Sequence, residues 1–285
     1  MPHTSPALLP GAKPLTAMGT AGAALALVIL GASVLLRLTT EFDPSGDLVS
    51  TLPRSVEDAV RLTHRITAAS VGLIAIALTV MCWLHRATLS HAFKPTAGIV
   101  GATVLLAVIG PLTPGYRYAS VTIANVVAGS ILLMACWWLR ACSAYGAAPI
   151  KGNNTTLVVA IVSFLLHIAT GAAASALHTR GMDGVAYVHI GSAILFLFTA
   201  GEILWVRSSQ PTESTLANRL TGVLLLQITL GAILMWLDRQ PVWLGVVHAL
   251  VSQIFAAGLV SVCLQTPFQS IGEVDHTWGF HDAPD

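Results

Sequence analysis

Eight stretches of this chain run without a single Asp, Glu, Lys or Arg: 17–36, 66–84, 95–116, 118–139, 152–179, 184–201, 220–237 and 240–272. A helix needs roughly 20 apolar residues to cross the hydrocarbon of a bilayer. The pattern therefore predicts an all-α membrane protein of eight transmembrane helices. Short alternating segments of the kind that build a β-barrel do not occur. Between helices 1 and 2 lies the longest polar connection, RLTTEFDPSGDLVSTLPRSVEDA, which carries both signs of charge. The other connections are short, as expected between antiparallel neighbours in a bundle. The segment Lys151-Gly-Asn-Asn-Thr-Thr divides the pattern into two four-helix halves, 1–150 and 151–285.

The halves read as a weak internal repeat. Helix 2 opens THRITAASVGL and helix 6 opens VHIGSAILFL; helix 4 opens IANVVAGSILL and helix 8 opens VHALVSQIFA. His64 thus aligns with His189, and Asn125 with His248. Helices 5 and 7 share LLHIATGA and LLQITLGA, which puts His167 and Gln227 in matching places. In membrane bundles, functional sites tend to lie between such repeated parts.

Composition agrees with the pattern. The chain is 55% hydrophobic and 9% charged, against about 25% charged in a soluble domain. A net charge of +1 implies no nucleic acid or other polyanionic partner. The first apolar run is too long for a signal-peptide core and reads as a retained helix. The four cysteines, Cys82, Cys136, Cys142 and Cys263, form no CxxC and read as small buried apolar residues.

An even number of spans puts both termini on one side. With the N-terminus inside, the inner segments hold Lys13, Arg86, Lys94, Arg140, Lys151, Arg207 and Arg219. The outer ones hold Arg37, Arg54, Arg61, Arg65, Arg117, Arg180 and Arg239, so the raw count is even. The outer total is inflated by the single region 37–65. Setting that region aside favours both termini in the cytoplasm, in an inner (plasma) membrane, with His64, His189 and His248 near the outer face.

Imidazole in a bilayer is costly unless it is paired or bound. Two imidazoles on different helices at one depth can ligate a haem iron from both faces of the ring. His189 and His248 suit that role, with small residues nearby (Gly191, Ser192, Ala193, Gly245, Ala249) leaving room for a flat macrocycle. The bland reading is a hydrogen bond from each to a neighbouring helix. Arg65, beside His64 and near Arg61, suits a propionate, or simply snorkels to the interface. Asn125 cannot replace an axial imidazole well; an interhelical amide bond is its alternative. Gln227 and His167 support the ligands or act as interhelical glue. Glu202 reads as an interfacial charge. His85, His91, His3, His276 and His281 read as solvated, and His178 could cover a cofactor edge.

These residues resemble the haem A synthase family. QITLGAILMWLDRQPVWLGVVHALVSQIFAAGLV is similar to the family's helix 7–loop–helix 8 segment. THRITAASVGL resembles its helix 2 His-Arg segment, and VHIGSAILFLF its helix 6. The resemblance implies oxidation of a haem O ring methyl to the formyl group of haem A, for cytochrome oxidase assembly. It implies haem b on His189 and His248, substrate haem O near His64, a haem O-producing enzyme as partner, and an electron donor. Three departures fall in the first half. Arg61 stands where the family has Glu, Asn125 where it has His, and the first outer loop lacks the cysteine pair of many bacterial members. Glu41, Asp43, Asp47, Glu57 and Asp58 are the nearby acids left to that loop. The alternatives are a haem b-binding membrane cytochrome or assembly factor without synthase activity, and a transporter. No span shows the Gly/Pro-interrupted pattern of transporter sites.

Overall fold

The computed structural model describes residues 12–42, 48–112, 118–145, 155–178, 184–209, 214–237 and 241–265. Within them run α1 (Ala12–Leu38), β1 (Thr40–Phe42), β2 (Leu48–Ser50), α2 (Arg54–Leu84), α3 (Phe93–Ile109), α4 (Ala119–Tyr145), α5 (Thr155–His178), α6 (Gly184–Ser208), α7 (Ser214–Trp236) and α8 (Val242–Gln265). The fold is all-α, with eight helices long and apolar enough to cross a membrane, at mean hydropathy between 1.6 and 2.1. The protein is a multi-pass membrane protein of packed helices. Prolines sit where they do least harm: Pro14 and Pro95 in first turns, Pro53 and Pro241 just before α2 and α8.

Each half closes on itself in part. α1 packs on α2 and α4, and α3 on α2 and α4; α5, α6, α7 and α8 pack in sequence order. One buried cluster draws only on 15–139, the other on α5 to α8 plus Val126 of α4. The closure differs, however. α1 and α4 lie in intimate contact, whereas α5 and α8 do not pack on each other in that way, and α4 lies against both. Polar bonds join the halves. Arg37 Nε donates to Ser175 Oγ at 3.0 Å, Gln253 Nε2 to Ser130 Oγ at 2.9 Å, and Trp137 Nε1 to Ser261 Oγ at 2.6 Å.

Two expectations change. The polar connection after helix 1 contains a small antiparallel hairpin, pairing Thr40 with Ser50 and Phe42 with Leu48. And α2 begins at Arg54, twelve residues ahead of its apolar run, because nothing in RSVEDAVRLTHR breaks a helix once Pro53 has preceded it. At 31 residues it is about 46 Å long, against a hydrocarbon core of about 30 Å. It is thus longer than a crossing along the bilayer normal requires.

Candidate functional site

The site grows from a pattern that α5 and α7 repeat. Each carries a polar residue followed four positions later by glycine: His167 and Gly171, Gln227 and Gly231. Residues four apart share one helix face. On α5, that face meets His189 of α6. A Cβ added to Gly171 would lie 2.9 Å from the His189 Cε1, so only glycine lets the ring lie against α5. On α7, the same face meets His248 of α8, whose Cε1 would lie 3.2 Å from a Cβ on Gly231. Each imidazole thus rests in a glycine cradle of the preceding helix.

The polar residue one turn away holds each ring differently. His167 stacks on His189, with centroids 4.4 Å apart and planes 13° from parallel. Its other side meets Phe196, which contacts Phe164 and stands edge-on to Phe255 of α8. A chain of ring contacts therefore runs from His189 of α6 to His167 of α5, back to Phe196 of α6 and on to Phe255 of α8. Gln227 instead lies 3.2 Å from His248, its Nε2 facing the ring Nε2.

Thr170 adds a further hold on His189. Its hydroxyl donates to the carbonyls of Leu166 and His167, both at 3.0 Å. Thr170 Oγ1 also lies 3.3 Å from the His189 Nδ1, within hydrogen-bond distance. Ser192 completes the group, its Oγ 2.7 Å from Thr170.

Among the sequence-predicted residues, the structure sets Gln227 on His248 and His167 on His189, both pairs inside the second half. His64 stands apart on α2, half-buried, ten residues after Arg54. It lies deeper in its helix than His189 and His248 do in theirs, because α2 extends into the polar segment. His189 and His248 keep their matched depth, five and six residues into α6 and α8. Asn125, six residues into α4, is half-buried. Arg65 is exposed, and Arg61 is bonded to Glu57 through Nε at 2.8 Å. Glu202 and His85 are exposed, as read. His91 is not solvated: it is half-buried with its Nε2 enclosed, because the 3₁₀ turn Ser90–Ala92 tucks under α4. All four cysteines are free thiols. The side chain of His178, and His3, His276, His281, Asp43 and Asp47, lie outside the described residues.

The first half offers different geometry. A Cβ on Gly19 would lie 2.7 Å from the Arg140 backbone N and 2.9 Å from the Cys136 carbonyl, and one on Gly22 would lie 2.8 Å from the Cys136 Sγ. α1 and α4 are thus in backbone contact, the arrangement that small residues allow in membranes. An open groove of about 500 Å³ runs instead between α1, α2 and the start of α8, past Val28, Gly31, Leu35, Val56, Thr63 and Val246.

Sequence reasoning missed the stacking of His167, the bond from Thr170, and the role of the two glycines. The signal was present in LLHIATGA and LLQITLGA, which mark the positions without saying what they touch.

A haem held between helices asks for two imidazole donors and room beside them. The two imidazole donors are present on α6 and α8, and beside them the His167 Nδ1 and the Gln227 Oε1 are buried with no hydrogen-bond partner. Among the described residues no three His, Cys, Asp or Glu side chains group as a metal-ion site, but axial haem ligation needs only two. No known family profile and no curated protein matches this chain.

Proposed function

We propose that this protein is a haem-binding oxidoreductase of the haem A synthase type, oxidising the methyl group of haem O to a formyl group. The observation that carries the reading is the pair of imidazoles on α6 and α8, each resting on a glycine of the preceding helix. His189 and His248 are the axial ligands of a resident haem b, and His64 serves the substrate haem. Arg65, exposed beside His64, is placed to meet a propionate. Bound haem supplies one-electron chemistry that the side chains lack. The residues supply ligand orientation: Thr170 bonds the His189 Nδ1 and His167 sets its ring plane. The protein resides in the inner (plasma) membrane with both termini in the cytoplasm, taking haem O from the enzyme that makes it and electrons from a separate donor.

A second reading has its own support. It is a haem b-binding membrane cytochrome or assembly factor without synthase activity. The close contact of α1 with α4, the ion pair of Arg61 with Glu57, and Asn125 in place of a histidine all fall in the half that would receive haem O. Pigment extraction after co-expression with a haem O source separates the two. Haem A in the extract supports the synthase; haem b alone supports the cytochrome. Low-spin haem b should be lost in His189→Ala and in His248→Ala, since one remaining ligand leaves the iron open. A normal low-spin spectrum in either variant would sink the axial assignment.

A further inference from the structure

The two cradles differ at one position. Where α5 has Thr170, α7 has Leu230. His189 therefore has a hydroxyl against its Nδ1, and His248 has none in that place. The Gln227 Nε2 can only donate, so the His248 Nε2 accepts at 3.2 Å and Nδ1 carries the proton. The pose leaves the Gln227 Oε1 buried with no hydrogen-bond partner. A buried polar atom without a partner is costly, so this arrangement is weakly held.

We infer that Gln227 is a removable cap on His248: a positioning residue whose amide occupies the Nε2 lone pair until a metal centre displaces it. The lone pair that accepts the amide N–H is the one that would bind iron. Exchange breaks one hydrogen bond and forms one N–Fe bond, and Nδ1 keeps its proton throughout. Gln227 thus sets how readily the second axial bond forms. Leu230 offers His248 no hydroxyl of the kind Thr170 sets against His189, and a further partner at Nδ1 steadies ligating histidines and raises their basicity. The part played by iron rests on the haem reading above; the hydrogen bond to His248 does not.

Two measurements on the full chain in detergent test the cap. The first is ¹⁵N NMR of histidine-labelled, haem-free protein, with His248 assigned from His248→Gln. Gln227→Leu should shift the His248 Nε2 signal, and Leu230→Thr should shift Nδ1. An unmoved Nε2 signal in Gln227→Leu overturns the cap. The second is titration with ferric protoporphyrin, read by its low-spin absorption. Releasing one hydrogen bond should tighten uptake by Gln227→Leu about two- to tenfold, and Leu230→Thr should tighten it as well. Weaker uptake by Gln227→Leu shows that Gln227 helps hold the cofactor, and overturns the proposal. If neither wild type nor variants take up porphyrin while the Nε2 signal shifts, the haem reading fails and the cap stands. Leu230→Thr leaves Gln227 in place, so its Nδ1 and uptake changes still decide the matter should Gln227→Leu not fold.

Discussion

Single residues decide the second half. Gly171 is constrained by the His189 ring at its Cα, while Gly191, two residues beyond His189, has nothing within 4 Å of an added Cβ. Gly171→Ala should therefore destabilise by about 1–3 kcal/mol through overpacking. Gly191→Ala should be neutral, or stabilise by up to about 1 kcal/mol through helix propensity. Thermal unfolding in one detergent compares them directly; equal shifts would mean that Gly171 is not a cradle. Arg61 is a contrasting case. Its side chain is 40% exposed, and an exposed ion pair contributes at most about 1 kcal/mol. Arg61→Ala should leave stability nearly unchanged in the same melts. His64→Ala should keep the low-spin haem b spectrum and lose haem A formation. Loss of the low-spin signal would show that the roles of the two halves are reversed.

At the scale of elements, the contact between α1 and α4 is governed by what each glycine faces. Gly19 meets backbone of Arg140 and Cys136, which cannot turn aside; Gly22 meets the Cys136 side chain, which can. Gly19→Ala should push the helices apart and lower stability by about 1–3 kcal/mol, with Gly22→Ala the milder of the pair. Denaturant unfolding followed by tryptophan fluorescence ranks them, and the reverse order would contradict the packing described. α2 shows a limit of hydropathy at this scale. Apolar composition marks where a helix enters hydrocarbon, not where it starts. Arg54 to Thr63 contain no Gly or Pro, so nothing stops the helix ahead of its apolar run.

At the scale of the whole molecule, the halves share an order of helices but not a closure. α1 closes tightly on α4, whereas α5 and α8 stay apart with α4 against both. The polar bonds Arg37–Ser175, Ser130–Gln253 and Trp137–Ser261 hold the halves in register. The proposed orientation is checked by a reporter that works only in the periplasm, fused after Asp285: it should be inactive. Activity there would place the termini outside and move the histidines to the inner face.

The number of helices, their rough limits and the matched depth of His189 and His248 were determined by the sequence alone. All three follow from one-dimensional quantities, the length of apolar runs and the position of a residue along them. The repeat of α5 and α7 was legible too, as a pattern without a meaning. What the tertiary structure decided is which atoms meet across helices. It stacked His167 on His189 and set Gln227 on the His248 Nε2. It set the Thr170 hydroxyl against the His189 Nδ1, where α7 has Leu230, and packed α1 on α4 while α5 and α8 stand apart. Helix rotation and interhelical distance fix these contacts. Both depend on side chains from other helices, and an apolar run carries little record of them because most of its residues suit lipid and protein equally well.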